Sequence, residues 1–409
     1  MIRCTSAHVD LDATRANFAA IARYLASEAA LNQRAAREPV SAPGIIAVVK
    51  ANAYGHGATR IAQALEEAGA SWLAVADIEE GIELRQSGTR ARILVFGALS
   101  VSDLAGVFEY DLTPTIASPS AGRALQAAAQ ARGTRVRYHL KIDTGMHRLG
   151  LRHENLPWTV PEILASPSLR LEGVYTHFAT ADEPEHPLFE EQRLAFDGAC
   201  LTLRELGAQF QFRHAANSAA LLRDSRVWYD FVRPGLLLHG VVPPPLATTI
   251  PLRPVMSLTS RVVAVKQLRA GESVGYGARF RPDGAITVAV IPAGYADGLD
   301  RRLEGRGEVL IRGRRAPIVG AVSMDMLTVD ITAIDDVNPG DEVVFLGSQG
   351  SSPFQALDAR EMAAAISTIP YEVLCRLGSR VNRIYSTDQP QTHRDSDPFA
   401  PGRIERYGL

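Results

Sequence analysis

The chain has 409 residues, 46% of them hydrophobic, and a formal net charge of −2; it is long enough for two cores and has no charge excess that would draw nucleic acid or an anionic membrane. No apolar run reaches bilayer length, and residues 1–12 lack the basic-then-apolar layout of a secretory signal. Cys4, Cys200 and Cys375 are too scattered for a disulfide framework or a metal site, so a soluble cytoplasmic enzyme or binding protein is expected.

Residues 11–31 carry helical apolar spacing at Leu11, Phe18, Ile21 and Leu25, and the polar, proline-bearing 32–44 reads as a surface loop. The apolar run 45–49 reads as a buried parallel strand that stops at Lys50. Tyr54, Gly55, His56 and Gly57 follow in a tight loop before a helix over 57–69. Further strands are expected at 72–76, 92–97, 112–116, 135–143, 171–177, 209–217 and 228–234. Helices are expected at 77–88, capped by Asp77, at 119–133 and near 189–206. Eight strand-helix units in about 250 residues predict a (β/α)8 TIM barrel. After Pro243-Pro244-Pro245 the pattern changes. Strands at 257–265, 286–291, 308–311, 326–331 and 342–346, with a helix at 356–367, predict an antiparallel β domain. The expected class is α/β plus all-β: a barrel over 7–250, a β domain over 251–386 joined by 1–6, and a loose polar tail over 387–409.

Lysine is scarce: Lys50, Lys141 and Lys266 stand against many arginines. Chemistry that arginine cannot perform, such as forming a Schiff base, must fall on one of these three. By spacing alone, Lys50 could equally cap a strand and point to solvent. The barrel brings other polar residues to the same carboxyl face, where enzymes of this fold keep their active sites. Lys141 lies within strand five and Arg148 in the loop after it. His177 ends strand six; His214, Asn217 and Ser218 end strand seven; Arg233, Gly235 and Leu236 end strand eight. Ser218 and the backbone near Gly235 can cradle a phosphate. A phosphate site opposite an aldehyde-reactive lysine is the layout that pyridoxal 5'-phosphate (PLP) requires.

The segment Ala47-Val48-Val49-Lys50-Ala51-Asn52-Ala53-Tyr54-Gly55-His56-Gly57 resembles the PLP-lysine motif of the alanine racemases, a fold-type III PLP family. Lys141-Ile142-Asp143-Thr144-Gly145-Met146 with Arg148, Val174-Tyr175-Thr176-His177, Arg233-Pro234-Gly235 and Val274-Gly275-Tyr276-Gly277 are similar to further blocks of that family. So are Gly294-Tyr295-Ala296-Asp297-Gly298, Val322-Ser323-Met324-Asp325-Met326 and Ile369-Pro370-Tyr371-Glu372. The ordered set spans both domains, which makes it far more specific than any one motif.

The resemblance implies PLP-dependent interconversion of L-alanine and D-alanine by two bases, since a proton must leave one face of the carbon and return to the other. Lys50 would hold PLP and act on one face; Tyr276, lent by the other subunit, would act on the opposite face with His177 favouring its phenolate. Arg233, braced by His214, would meet the pyridine nitrogen, where a carboxylate is more usual and a stronger electron sink results. Tyr54, Ser218, Asn217, Tyr371 and the backbone of Gly235 and Leu236 would hold the phosphate. Arg148 would pair with the substrate carboxylate or the PLP phenolic oxygen, and Met324 would present its N–H to the substrate. Lys141 matches a position that many members carry as a carbamylated lysine. Plain structural alternatives stay open: Tyr276 as a packed turn residue, His214 as a core histidine, Met324 as a core methionine and Lys141 as an unmodified lysine.

A small amino-acid substrate, a head-to-tail homodimer with shared sites, and no nucleic acid, membrane or metal partner go with the resemblance. His147, His239 and Ser323 stand where glycine, tyrosine and cysteine are common in the family. The nearest alternative is a broad-specificity racemase acting on larger substrates. Related decarboxylases use a cysteine-centred motif and a ring-nitrogen carboxylate, which Arg233 opposes. A PLP-carrying homeostasis protein would be a barrel alone.

Overall fold

The computed structural model describes residues 4–36, 41–99, 104–350 and 355–386. Eight parallel strands form the N-terminal sheet: Gly44–Val48, Trp72–Val75, Arg92–Val95, Thr113–Ile116, Val136–Asp143, Leu169–Tyr175, Phe212–Asn217 and Phe231–Arg233. Each pairs with the next in the chain, and Phe231 opposite Gly44 joins the eighth to the first, so the sheet closes into a barrel. Closure covers both faces of every strand, which is why Trp72–Val75 is buried at all of its positions. Asp77 caps its helix as anticipated, accepting from the Glu80 N–H, and Ser118 caps the helix at Pro119–Ala131 by accepting from the Ala121 N–H.

Several elements differ from expectation. The first helix runs Leu11–Ala36, past the expected loop start, because no glycine or proline interrupts it before Pro39. A helix at Leu156–Leu164, between strands five and six, escaped notice because Pro157 and Pro161 read as breakers; Pro157 sits in the first turn, where proline is tolerated. The expected strand 257–265 is two, Met256–Arg261 and Ala264–Leu268. The chain changes partner between them: Val262 N–H donates to Asp341 and Val263 N–H to Val290. The expected helix at 356 is preceded by a strand, Gln355–Leu357, and begins at Ala359 after the Asp358 cap.

The C-terminal sheet is largely antiparallel and includes Glu308–Ile311, Arg314–Val319, Leu327–Asp330 and Glu342–Gln349. Its seam is made by the start of the chain. Ser6–Asp10 pairs antiparallel with Met256–Arg261 and parallel with Asn382–Ser386, so it joins this sheet and not the barrel. The polar tail expected over 387–409 lies outside the described residues. Among the described residues, no helix is long and apolar enough to cross a membrane.

One local feature aims Lys50. The four residues after it, Ala51, Asn52, Ala53 and Tyr54, all have φ between 51° and 54°, and Gly55 follows at 82°. Left-handed backbone costs roughly 1–2 kcal/mol per non-glycine residue, so this turn must be held from outside. The Glu80 carboxylate does much of the holding, accepting the Ala51 N–H at 2.6 Å and the Ala76 N–H at 2.7 Å. Asn52 Oδ1 accepts the Ala58 N–H at 2.7 Å on the far side. Gly55 is required, because a Cβ there would sit 2.4 Å from the Leu374 carbonyl oxygen. Glu80→Gln leaves one carbonyl oxygen for two N–H groups and turns an amide N–H toward the other. We expect a loss of roughly 1.5–3 kcal/mol, the worth of a hydrogen bond to a charged group, read as a lower denaturant midpoint. An unchanged midpoint would show that the carboxylate does not hold the turn.

Candidate active site

The carboxyl end of the barrel gathers four cations. Lys50 is half-buried at the end of strand one, and its amine sits below the usual lysine range, first from burial and then from the Arg148 charge. Lys141 is buried in strand five with its nitrogen 4.7 Å from the Tyr175 ring centroid. Burial, and then Arg233 and Arg148, push its amine down to about 7. Arg148 is exposed on the loop after strand five. Arg233 is 3% exposed at the end of strand eight. Such a cluster is unfavourable by itself and suits an anionic ligand.

Arg233 is surrounded by acceptors. One terminal nitrogen donates to His214 Nδ1 at 3.1 Å. The other donates to the Thr176 and Ala215 carbonyls, both at 2.9 Å, and to His177 Nδ1 at 3.2 Å. A guanidinium only donates, and a ring N–H facing it would oppose its own, so both imidazoles accept at Nδ1 and carry their proton at Nε2; three acceptors meet the two hydrogens of the second nitrogen, so His177 shares one of them with a carbonyl. Burial and the Arg233 charge agree, holding both rings well below the usual imidazole range and therefore neutral.

Another side of the same end has the shape of a phosphate cradle. Ser218 is buried, and its Oγ accepts the Gly235 N–H at 3.0 Å and the Leu237 N–H at 3.4 Å, which leaves its own O–H to donate. A Cβ on Gly235 would fall 2.1 Å from Tyr54 Oη, so the Tyr54 hydroxyl lies against the glycine backbone. The Tyr371 ring stands 5.8 Å from that of Tyr54, and burial pushes its hydroxyl up to about 12. Both phenols are therefore donors at neutral pH. Asn217 is committed as a helix cap, its side-chain oxygen accepting the Ala220 N–H at 2.9 Å.

Lys50, Tyr54, Lys141, Arg148, His177, His214, Ser218, Arg233, Gly235, Leu236 and Tyr371 thus lie at one end of the barrel or on the segments packed against it. Tyr276 and Met324 stand apart, 76% and 51% exposed, on turns of the C-terminal unit. Sequence reasoning missed Glu80, which holds the turn after Lys50, and the fully buried His139. The signal for His139 was present: His139, Lys141 and Asp143 alternate along one strand and share a face. It also missed a role for His56, which stacks on His239 at 4.0 Å beside Tyr54; burial pushes His56 down to about 4.

Two family models match the chain: alanine racemase N-terminal domain over residues 9–243 and alanine racemase C-terminal domain over 255–385. The alanine racemase of Symbiobacterium thermophilum is 40% identical over 385 residues, covering 94% of this chain and 97% of the relative. The alanine racemase of D-cycloserine-producing Streptomyces lavendulae superposes with a TM-score of 0.86 at 36% identity, covering 95% of this chain and 98% of that one. The enzyme from Bartonella henselae, crystallised with covalently bound pyridoxal phosphate, superposes with a TM-score of 0.81 at 29% identity, over 94% of this chain and 99% of that one.

Gly235→Ala tests the cradle, since the added methyl must displace the Tyr54 hydroxyl. We expect the apoprotein to bind PLP roughly tenfold more weakly, as for one lost hydrogen bond to a charged group, by fluorescence titration. Unchanged affinity would remove Tyr54 from the phosphate site.

Proposed function

The chain belongs to the alanine racemase family, and on that premise we propose how its own residues carry out the reaction. The protein is a PLP-dependent isomerase that interconverts L-alanine and D-alanine. Lys50 would hold the PLP aldehyde, Arg233 the ring nitrogen, and Tyr54, Ser218, Tyr371 and the backbone of Gly235 and Leu236 the phosphate. The Gly235–Tyr54 contact and the Ser218 hydrogen bonds fit that role. When bound, PLP supplies an aldehyde that condenses with amines and a ring that accepts the electrons released at Cα. Arg148 would pair with the substrate carboxylate.

Two proton-handling groups are then needed on opposite sides of Cα. Lys50 Nζ serves one side, and its depressed affinity for protons suits a base. Tyr276 Oη of a second copy serves the other. The observation that carries this reading is the fixed protonation of His177. With Nδ1 accepting from Arg233, Nε2–H is its remaining donor, available to stabilise a phenolate brought by the partner. Tyr276, Tyr295, Met324, Met326 and Ile369 all expose large apolar surface on the C-terminal unit, which fits a head-to-tail homodimer. Met324 would lie at the shared site with its N–H toward substrate. The free thiols suit the reducing cytoplasm.

Complementation tests the sharing. Lys50→Ala and Tyr276→Phe should each abolish most proton exchange from L-alanine. Mixed and allowed to exchange subunits, they should recover up to about a quarter of wild-type activity, because one site in each heterodimer regains both groups. No recovery despite verified exchange would mean that Tyr276 acts within its own chain or not at all.

Lys141 we assign as a carbamylated lysine. Its amine titrates near 7, so the neutral form that attacks CO2 predominates as pH rises above that value. The product exchanges a buried cation for an anion beside Arg148 and Arg233. At fixed dissolved CO2, 13C-carbamate at Lys141 should therefore increase from pH 6 to pH 8. A signal absent throughout, or falling over that range, would refute the assignment.

A further inference from the structure

The hydrogen bonds do not stop behind Arg233. His214 Nε2 lies 2.8 Å from His139 Nδ1. His139 Nε2 lies 3.6 Å from Glu172 Oε2, too long for a full hydrogen bond, so the carboxylate acts on that ring chiefly through its charge. Arg92 grips the same carboxylate with two bonds, at 3.0 Å to Oε1 and 2.5 Å to Oε2, and Arg137 approaches Oε1 at 4.0 Å. His139 and His214 are fully buried, and Glu172 is nearly so. The line draws one residue from each of strands three, five, six, seven and eight and crosses the barrel interior.

Its polarity is favoured from both ends, by the Arg233 donor and by the Glu172 charge. Arg233 can only donate, so His214 accepts at Nδ1 and donates from Nε2. With Glu172 charged, His139 accepts at Nδ1 from His214 and carries its proton at Nε2, turned toward Glu172. Reversing either ring would set one N–H against another. Every donor therefore points from Arg233 toward the carboxylate, and the charge that favours this order is the one at Glu172. A simple plug for the barrel would need the Arg92–Glu172 pair alone, with no ordered imidazoles between it and Arg233.

We propose that Glu172 and His139 are positioning residues for Arg233: the carboxylate fixes the His139 tautomer, which fixes that of His214, which holds the guanidinium in register for the cofactor ring. The link to the cofactor rests on the reading that Arg233 meets the ring nitrogen; the tautomer order does not.

The experiment has two readouts. The first is 15N–1H long-range NMR of the histidine rings in the apoprotein, comparing wild type, Glu172→Gln and the charge-conserving Glu172→Asp. His214 and His139 should both be Nε2–H in wild type. Glu172→Gln should mix the tautomers and Glu172→Asp should restore most of the order. A wild-type His214 protonated at Nδ1 overturns the proposal even if no variant folds, and so does a Glu172→Gln spectrum with unchanged tautomers. The second is PLP titration of the same proteins, with Arg233→Ala as reference. Glu172→Gln should weaken PLP binding roughly tenfold and lower kcat more than it raises KM, with Glu172→Asp recovering both. If Arg233→Ala binds PLP as wild type does, the ring-nitrogen reading fails while the tautomer result stands. If Arg233→Ala binds weakly and Glu172→Gln does not, the positioning role fails alone.

Discussion

Arg233 is a permanent cation, buried, and every group it hydrogen-bonds is an acceptor. Because it has no lone pair to offer, it dictates the protonation of each neighbour, and the dictation propagates. His177 and His214 each lose Nδ1 as a donor and keep Nε2–H. A carboxylate at that position could accept or, once protonated, donate; its neighbours would be free to switch. An arginine removes that freedom. If Arg233 meets the ring nitrogen as proposed, that firmness keeps the nitrogen unprotonated; a protonated ring would draw more strongly on the substrate's electrons and open routes other than inversion.

The second constraint is electrostatic. Lys50, Lys141, Arg148 and Arg233 cluster at one end of the barrel; both arginines lower proton binding by both lysines, and Lys50 lowers that of Lys141. The fold tolerates this because the cofactor is itself anionic. The left-handed turn serves the same end by steric means. It carries the chain sharply from Lys50 to Tyr54, whose hydroxyl lies against Gly235. A regular right-handed turn would also bring residues four apart to one side, but would direct the chain elsewhere relative to Leu374, whose carbonyl lies against Gly55.

The barrel was legible because each strand is a short apolar run between polar punctuation, and parallel strands buried on both faces have that form. What escaped was structure made by distant partners. Ser6–Asp10 alternates polar and apolar residues over only five positions, and its strand character comes from the distant partners Met256–Arg261 and Asn382–Ser386. Leu156–Leu164 escaped for the opposite reason, two prolines overruling an amphipathic run that burial favours. The candidate site was legible where residues terminate strands, as with Lys50, His177 and Arg233, and where the family resemblance supplied a role. His139 and Glu172 lie inside strands, where polar residues break the expected apolar run without marking an end. Reading 139, 141 and 143 as one polar face would have found the first; Glu172 becomes meaningful only once strands five and six are adjacent.

The three lysines sort by depth. Lys266 lies exposed on the C-terminal sheet, where arginine would serve as well. Lys50 is half-buried and Lys141 fully so, and the charge on Lys50 is among the causes that lower Lys141. Coupling between titrating groups is reciprocal, so whatever removes the charge from Lys141 must raise the proton affinity of Lys50. A neutral Lys141 would relieve repulsion, and a carbamate would reverse it into attraction.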